Sequence, residues 1–390
     1  MSKNYQPTVP KLIAWEVTRS CVLNCIHCRA AAKYGPYPDE LTTEECLRFL
    51  DDVVELYKTN AESRMPNVET SSSIRTSTIG PQQSVVNNPP IIILTGGEPM
   101  MREDIYEIAK YGTEKGLRMV MAPCGLMVTE ETAKKIKESG IKRISLSIDG
   151  ATAESHDAFR RVDGAFDAVM KAVESCKKVG LEFQVNTTIT KYNVKEVPAI
   201  LDLVVRLGAV AYHPFLLVPT GRGKDLADQE ISPEEYEKVL TWIYEQREKA
   251  SIQFKPTCAP HYYRIFRQKE REKGRSVSPQ IHGLDAMTKG CMGGQSFAFV
   301  SHTGKVQICG FLEEEAGDIR KEPFSEIWKE SKLFNEMRDI DHYHGKCGIC
   351  EYRKVCSGCR ARAYALTGDY LGEEPYCTYI PQSIPIKAKL

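Results

Sequence analysis

The stretch that decides the fold is TRSCVLNCIHC, residues 18–28, in which Cys21, Cys25 and Cys28 follow a C-x3-C-x2-C spacing. Three thiolates from one short loop are one fewer than the irons of a cubane [4Fe–4S] cluster, which leaves the fourth iron open to an outside molecule. Structural zinc instead takes four protein ligands, usually in paired spacing. The lone triplet therefore favours an iron–sulfur cluster with one open position.

The residues around this loop predict an α/β protein. Strand-like and helix-like segments alternate up to about residue 250, and several predicted helices end at a glycine. The predicted strands are Leu12–Val17, Ile91–Thr95, Leu117–Ala122, Arg143–Ile148, Glu182–Ile189 and Ala211–Leu217. This alternation predicts a parallel sheet with right-handed crossovers, a partial (β/α)6 barrel whose chemistry lies at the carboxyl ends of the strands.

Two stretches interrupt the alternation. Residues Thr59–Pro90 are rich in Ser, Thr, Asn and Pro without an apolar period, which predicts a flexible surface insertion. From about Ser251 the alternation stops, and a cysteine-rich region follows. We therefore predict a barrel domain over residues 1–250, a connecting segment over 251–286 and a small cysteine-rich domain over 287–390.

Composition limits the class of function. Lys and Arg together number 52, as do Asp and Glu, so no overall charge favours nucleic acid or an anionic membrane. No apolar run approaches the roughly 18 to 20 residues of a membrane span, and the first residues lack a secretory signal pattern. We expect a cytoplasmic protein without nucleic-acid or membrane partners. In a reducing compartment, its 14 cysteines indicate metal ligation rather than disulfides.

Seven cysteines fall in the last hundred residues. They are Cys291, Cys309, Cys347, Cys350, Cys356, Cys359 and Cys377. The spacing is C-x12-G-x4-C, then C-x2-C-x5-C-x2-C, then one final cysteine. A zinc knuckle would use the two C-x2-C pairs and leave three cysteines unexplained, whereas iron–sulfur clusters can use all seven. The pattern favours clusters, with zinc as the alternative.

Together with the N-terminal triplet, three later segments resemble motifs of the radical S-adenosylmethionine (SAM) family. They are TGGEP at residues 95–99, SLSIDG at 145–150 and HDAFR at 156–160. The resemblance implies that SAM binds the open iron of the catalytic cluster. The SAM-contacting residues it implies are His27, Gly96, Gly97, Glu98, Ser147, Arg160 and Asn186. Position 27 is often Tyr or Phe in the family, and an imidazole there can still stack on adenine. The alternatives to SAM contact are that Arg160 forms a surface ion pair and that Asn186 is a packing residue.

The C-terminal pattern resembles the SPASM domain, which carries auxiliary iron–sulfur clusters in such enzymes, although the usual last spacing is x3 rather than x2. The resemblance implies one or two auxiliary [4Fe–4S] clusters. One set of ligands would be Cys347, Cys350, Cys356 and Cys377. The other would be Cys291, Cys309 and Cys359, with Cys258 either as fourth ligand or as a core cysteine. Cys46, Cys124 and Cys176 are predicted to be structural.

Outside the insertion, nearly the whole chain resembles the haem b synthases of the alternative, sirohaem-based haem pathway. The matching stretches are residues 15–21, 213–222, 255–260 and 356–362. This implies oxidative decarboxylation of two propionates of iron-coproporphyrin III to vinyl groups, with a low-potential electron donor as a further partner. The candidate cations for its four propionates are Arg222, Lys255, Arg264, Arg267, Arg360 and Arg362.

Two other classes of function stay open. One is a different SPASM-type radical SAM enzyme, either a didecarboxysirohaem deacetylase or a peptide or protein maturase. The other is a non-enzymatic zinc or iron–sulfur interaction module. The TGGEP segment argues against the module, because a purely structural protein has no use for a SAM-amine site.

Overall fold

The computed structural model describes residues 9–62, 89–283, 286 and 288–383. Its strands are β1 (Leu12–Thr18), β2 (Ile91–Gly96), β3 (Arg118–Met121), β4 (Arg143–Ser147), β5 (Glu182–Ile189), β6 (Ala211–Leu216), β7 (Gln253–Phe254), β8 (Phe297–Val300), β9 (Lys305–Gln307) and β10 (Gly317–Asp318). Within the described residues they form one sheet, in the order β10-β9-β8-β1-β2-β3-β4-β5-β6-β7. Neighbours from β8 to β7 in this order are parallel, and β9 is antiparallel to both β8 and β10.

Helices alternate with the first seven strands. They are α1 (Thr43–Glu62), α2 (Ile105–Glu114), α3 (Glu130–Glu138), α4 (Ala153–Arg160), α5 (Ala165–Val179), α6 (Val197–Arg206) and α7 (Pro233–Arg247). The later helices are α8 (His261–Glu272), α9 (Pro279–His282), α10 (Phe324–Glu330), α11 (Lys332–Arg338), α12 (Gly345–Ile349) and α13 (Arg360–Thr367). Thr129 and Thr152 open α3 and α4 with capping boxes, which satisfy free N–H groups of the first turn. None of the described helices combines the length and apolar character needed to span a lipid bilayer.

The predicted α/β partial barrel is confirmed, but its sheet is longer than predicted. Strand β7 lies in the predicted connecting segment, and β8 lies in the predicted cysteine-rich domain and pairs in parallel with β1. The sheet therefore crosses both domain boundaries, which remain predictions. Helix α1 continues to Glu62, four residues into the predicted insertion. Most of that insertion, residues 63–88, lies outside the described residues.

The two faces of the barrel strands differ in polarity. Ile144, Leu146, Val185 and Tyr212 are fully buried and pack on the side of the helices. The residues between them in the strands retain partial exposure and are mostly polar, because successive side chains of a strand point to opposite faces. The inner face of β4, β5 and β6 is therefore polar. It is the face available to a ligand.

A buried carboxylate joins the N-terminal and C-terminal parts of the sheet. Glu16, in β1, accepts hydrogen bonds from Arg29 (2.5 Å), His302 (2.7 Å) and Arg19 (3.1 Å). Arg29 follows the cysteine triplet, and its other nitrogen donates to the carbonyl of Gly310. Burial alone would raise the pKa of Glu16, but these cationic and hydrogen-bonding neighbours lower it to about 2. Glu16 thus connects the cysteine loop to the strands that follow residue 297.

Candidate active site and cysteine groups

The three N-terminal cysteines lie together in the loop that leaves the carboxyl end of β1. Cys21 and Cys25 are buried, and Cys28 is partly exposed. Burial raises the pKa of the Cys21 thiol to about 12, and the nearby Glu98, Cys25 and Cys28 act in the same direction. Cys28 packs against the buried group that contains Cys21 and Cys25, so the loop brings the three thiols to one place. Binding a cluster there requires the thiols to lose their protons.

Each of these sulfurs has one N–H donor. The backbone N–H of Leu23 donates to Cys21 Sγ (3.3 Å), and that of Ala32 donates to Cys28 Sγ (3.5 Å). Among the described residues, no three His, Cys, Asp or Glu side chains converge as the ligands of one metal ion do. In a cubane cluster each thiolate binds a different iron, and hydrogen bonds to the sulfurs tune its potential. Cys25 Sγ accepts from the Arg160 side chain (3.5 Å). Two buried thiols and one partly exposed thiol, each with its own donor, fit such a cluster.

The segment after β6 holds the cysteine loop in place. Arg222 donates from Nε to the carbonyl of Cys25 (2.9 Å) and from Nη1 to that of Ala32 (2.7 Å). Gly221 has a φ of +56°, and a Cβ there would lie 2.0 Å from the carbonyl oxygen of Arg29. Arg222 was a candidate cation for a propionate, but its guanidinium group is used to fix the cysteine loop.

The two glycines of TGGEP serve a backbone contact that the sequence did not indicate. A Cβ on Gly96 would lie 2.2 Å from the carbonyl oxygen of Thr18, and one on Gly97 would lie 2.4 Å from that of Ser20. The N–H groups of Gly97 and Glu98 donate to these same two carbonyls. The glycines therefore let the end of β2 pack directly on the chain that enters the cysteine loop. Their predicted contact with SAM stays a prediction.

Glu98 is fully buried and links β2 to the loop after β3. One carboxyl oxygen accepts from the N–H of Met100 (2.9 Å) and the other from that of Cys124 (2.5 Å). Burial raises the pKa of Glu98 and of the Cys124 thiol, and the nearby carboxyl raises that of Cys124 further. Cys124 packs against the group that contains Cys21 and Cys25. Its predicted structural role agrees with this position beside the cysteine loop.

Arg160 and Asp149 form a buried ion pair beside Cys25. Arg160 ends α4, and its guanidinium group contacts both the Asp149 carboxylate and Cys25 Sγ, the latter at 3.5 Å. The Asp149 carboxylate accepts a hydrogen bond from the N–H of Thr188 (2.7 Å). Burial alone would raise the pKa of Asp149, but the nearby charge of Arg160 outweighs it, so the pKa is lowered. Arg160 is only 8% exposed, so the alternative of a surface ion pair is wrong. The sequence motif contained Asp149, but nothing marked it as the partner of Arg160.

The other predicted SAM contacts lie on the inner face or against α4. Ser147 of β4 is in register with Asn186 of β5, and both are partly exposed. The ring of His27 packs against Phe159 at a tilt of 38°, with ring centroids 4.7 Å apart, and its buried Nδ1 makes no hydrogen bond to a described residue. Burial lowers the pKa of His27 to about 4, so the ring is neutral at pH 7. A neutral, unpartnered imidazole is compatible with the predicted adenine contact.

The C-terminal cysteines, together with Cys258, separate into two groups of four. Burial raises the pKa of the Cys258 thiol, and its nearest ionisable sulfurs raise it further. Those neighbours are Cys291, Cys309 and Cys359. The second group lines one cavity, which encloses about 400 Å³ with open solvent included. Its members are Cys347, Cys350, Cys356 and Cys377. The backbone at Cys258 has a φ of +54°, which is uncommon for a residue other than glycine.

The cavity of the second group has a cationic lining. Arg264, Lys346 and Arg353 line it beside the four cysteines, together with a neutral His261 and with Glu374. Both ring nitrogens of His261 are buried without a hydrogen bond among the described residues, and burial lowers its pKa well below the usual value. A cluster with four thiolates is anionic, so this lining fits it. Sequence reasoning did not single out His261.

Two buried arginines hold the cysteine groups rather than a substrate. Arg360 donates to the carbonyl of Gly372 (2.5 Å) and to Cys347 Sγ (3.4 Å). Arg362 donates to the carbonyls of Leu217 (2.7 Å) and Cys258 (3.2 Å) and pairs with Glu374 (3.4 Å). Both are 0% exposed. They are therefore not available to bind propionates, and neither is Arg264, which is 3% exposed and paired with Glu237.

Cys46 and Cys176 are packing residues, as predicted. Both thiols are fully buried in the apolar core, in α1 and α5 respectively. They lie apart from the three cysteine groups described above. Glu374 is the residue that sequence reasoning missed most completely. Its carboxylate accepts the N–H of Cys359 (2.7 Å), and its own N–H points to Cys347 Sγ (3.4 Å), so it lies between the two C-terminal groups.

Comparison with protein families supports the two kinds of domain that the cysteine patterns predicted. Residues 84–204 match the radical SAM superfamily, and residues 291–360 match an iron–sulfur cluster-binding domain, SPASM. The cofactors are therefore a [4Fe–4S] cluster with SAM, together with auxiliary iron–sulfur. The second match replaces the zinc alternative, and the first excludes a non-enzymatic module. The structure of SuiB from Streptococcus suis bound to S-adenosylmethionine shares the fold, with a TM-score of 0.69, 14% identity and coverage of 95% of this chain and 78% of that one.

Two curated relatives are similar over almost their whole length. The AdoMet-dependent heme synthase of Nitratidesulfovibrio vulgaris is 50% identical over 95% of this chain and 93% of its own. The Fe-coproporphyrin III synthase of Methanosarcina barkeri is 30% identical over 98% of this chain and 90% of its own. The protein is thus a radical SAM enzyme with a C-terminal iron–sulfur domain, and it belongs to the family of the AdoMet-dependent heme synthases.

Proposed function

We propose that this enzyme converts two propionate side chains of iron-coproporphyrin III into vinyl groups, which yields haem b. The proposal is supported by the 50% identity to a relative named heme synthase, against 30% for one named Fe-coproporphyrin III synthase. The higher identity favours haem b formation over the deacetylase alternative. The observation that carries the proposal is the presence of two further four-cysteine groups in a chain whose catalytic loop has three cysteines.

The balance of the reaction explains why a chain of this kind needs more than one cluster. Each propionate loses a hydrogen atom from its β-carbon, then carbon dioxide and one electron, and the two side-chain carbons become a vinyl group. When bound, the cysteine-loop cluster and SAM supply the radical that takes the hydrogen atom, and an auxiliary cluster supplies the electron acceptor. We propose that Cys258, Cys291, Cys309 and Cys359 hold one auxiliary cluster. We propose that Cys347, Cys350, Cys356 and Cys377 hold the other.

The chain's own residues arrange the site for this chemistry. Arg222 and the glycines at 96 and 97 fix the path of the cysteine loop from three sides. Arg160 and Asp149 place a compensated positive charge at Cys25. The inner face next to them, with Ser147 and Asn186, is polar and partly exposed. We propose that SAM binds across this face, with His27 against its adenine.

Anaerobic incubation of the reconstituted protein with iron-coproporphyrin III, SAM and a reductant tests the proposed function. Mass spectrometry should show the loss of two carboxyl groups and a product with the mass of haem b. The variant with Cys21, Cys25 and Cys28 all replaced by Ala serves as control and should form neither 5′-deoxyadenosine nor haem b. Conversion of didecarboxysirohaem, with iron-coproporphyrin III left unchanged, would make the enzyme a deacetylase instead.

A further inference from the structure

Lys255 continues a polar row across the inner face of the barrel. In the ladder, Ser147 of β4 lies beside Asn186 of β5, and Asn186 lies beside His213 of β6. Past β7 the chain still bonds to β6, since the N–H groups of Lys255 and Thr257 donate to the carbonyls at 212 and 214. Phe254 is buried on the outer side, so Lys255 points inward by alternation. With strands about 4.8 Å apart, Lys255 lies about 10 Å from Asn186.

Lys255 differs from the other cations proposed for propionate binding. Arg222, Arg264, Arg267, Arg360 and Arg362 each donate at least one hydrogen bond within the described chain. Lys255 makes no side-chain hydrogen bond or ion pair with any described residue. Burial lowers the pKa of its ammonium group. A partly buried ammonium without a counter-ion is unfavourable in the free protein, because it has lost water and gained no partner.

His213, which neighbours Lys255 across the ladder, offers a neutral donor. Gln184 donates from its amide to Nδ1 of His213 (3.1 Å) and to Oδ1 of Asn186 (3.3 Å). Burial lowers the pKa of His213 to about 3, so its ring is neutral. With Nδ1 as acceptor, the ring proton is on Nε2, which is left free to donate. One ammonium and one neutral N–H beside it are the donors that a carboxylate requires.

We propose that Lys255 and His213 form the binding subsite for a propionate carboxylate of the tetrapyrrole. This subsite places the macrocycle beside Ser147 and Asn186, the residues of the inner face across which SAM is proposed to bind. This inference rests on the proposed function. It explains why a lysine without a partner is kept inside the barrel, since the substrate supplies the missing anion. It also assigns the positioning of the substrate to one of the six candidate cations.

The test combines a side-chain change with a substrate change. Lys255→Met keeps an unbranched apolar side chain, one heavy atom shorter, and removes the charge, whereas Lys255→Arg keeps the charge. Binding of iron-coproporphyrin III and of its tetramethyl ester is measured by absorbance titration with each holoenzyme. We expect Lys255→Met to bind the tetra-acid at least tenfold more weakly, Lys255→Arg to recover most of that loss, and all three proteins to bind the ester alike. Equal binding of the tetra-acid by wild type and Lys255→Met would overturn the subsite.

Two further measurements separate this role from a structural one and from the proposed function. In the absence of substrate, Lys255→Met should have a Tm equal to or above that of wild type, because a charge without a partner is removed. A lower Tm would show that Lys255 stabilises the fold and would contradict the proposal. Lys249→Met, at an exposed position, is the matched control and should bind the tetra-acid as wild type does. If wild type itself fails to bind iron-coproporphyrin III, the proposed function fails and this inference fails with it.

Discussion

Nη1 of Arg160 lies 3.5 Å from Sγ of Cys25, although the two residues are 135 positions apart in the sequence. The same guanidinium group is paired with the Asp149 carboxylate, just beyond the end of β4. A fixed positive charge therefore stands at one thiolate of the catalytic loop, and a buried anion keeps it there. The pair connects the loop after β1 to the opposite side of the barrel.

Replacing Arg160 by Met should affect both stability and the catalytic cluster. Asp149 would be left as a buried carboxylate without its cation, and breaking such a pair costs about 3–5 kcal/mol. Removing a positive charge next to Cys25 should also make the cluster harder to reduce. Urea unfolding gives the first effect. A redox titration followed by electron paramagnetic resonance measures the reduction potential of the cluster, which should be more negative in the variant.

The control for this variant is a more exposed arginine–glutamate pair between β4 and β5. Arg143 of β4 pairs with Glu182 of β5, and their side chains are 35% and 54% exposed. Arg143→Met should cost only ~0–1 kcal/mol and leave the cluster potential unchanged. Equal losses of stability in the two variants, with no shift in potential for Arg160→Met, would show that Arg160 has no special relation to Cys25.

Gly97→Ala should displace the cysteine loop rather than act on SAM alone. The added Cβ would lie 2.4 Å from the carbonyl oxygen of Ser20. Because that oxygen belongs to the backbone, it cannot move aside as the end of a flexible side chain could. Overpacking of this kind costs about 1–3 kcal/mol. We expect a lower Tm and less iron in the N-terminal cluster, measured as iron per chain in a protein that also lacks the C-terminal ligands. At Gly274 a Cβ meets nothing within 4 Å, but φ is +69°, so Gly274→Ala should lower the Tm through backbone strain and still retain its iron.

The sequence predicted local features well and long-range pairings poorly. The cysteine triplet, the barrel strands and the packing roles of Cys46 and Cys176 follow from spacing and apolar periodicity, which are local. The contact of Gly97 with Ser20, the pairing of Arg160 with Asp149 and the position of Glu374 depend on which chain segments meet. Glu374 lies between two cysteine groups only because the residues from 347 to 377 fold back on themselves. The spacing of the cysteines in the sequence does not predict that this segment folds back.

Glu16→Gln should destabilise the protein at neutral pH and change its response to acid. The pKa of Glu16 is about 2 when folded and 4.5 in the reference state, so its contribution is complete above about pH 5 and is lost as the pH falls towards 2. A shift of this size corresponds to about 3 kcal/mol. Unfolding of the iron-free chain from pH 7 to pH 3 should show a smaller loss for Glu16→Gln than for wild type. Parallel curves would contradict this account.

Cys258→Ala decides whether the first C-terminal group has three protein ligands or four. If Cys258 is a ligand, the variant should lose iron or show an altered spectrum for one auxiliary cluster, while the group that lines the cavity keeps its own. Cys176→Ala is the matched control, because it also removes a buried thiol but lies in the core of α5. Both variants leave a small cavity, so only a difference in iron content or spectrum supports ligation. Identical iron content and spectra would make Cys258 a packing residue.

The double variant Cys309→Ala/Cys359→Ala should separate SAM cleavage from vinyl formation. Cleavage of SAM consumes an electron at the loop of Cys21, Cys25 and Cys28, whereas decarboxylation of the substrate releases one. A chain without the first C-terminal group should therefore still form 5′-deoxyadenosine and yield little or no haem b. Because Cys359 is the N-cap residue of α13 and its N–H donates to Glu374, losing it also weakens the local fold. Circular dichroism and SAM binding must match wild type before the products are compared. A normal yield of haem b from a folded variant shown to lack that cluster would refute the electron-acceptor role, and the electron would then have to leave through the second group.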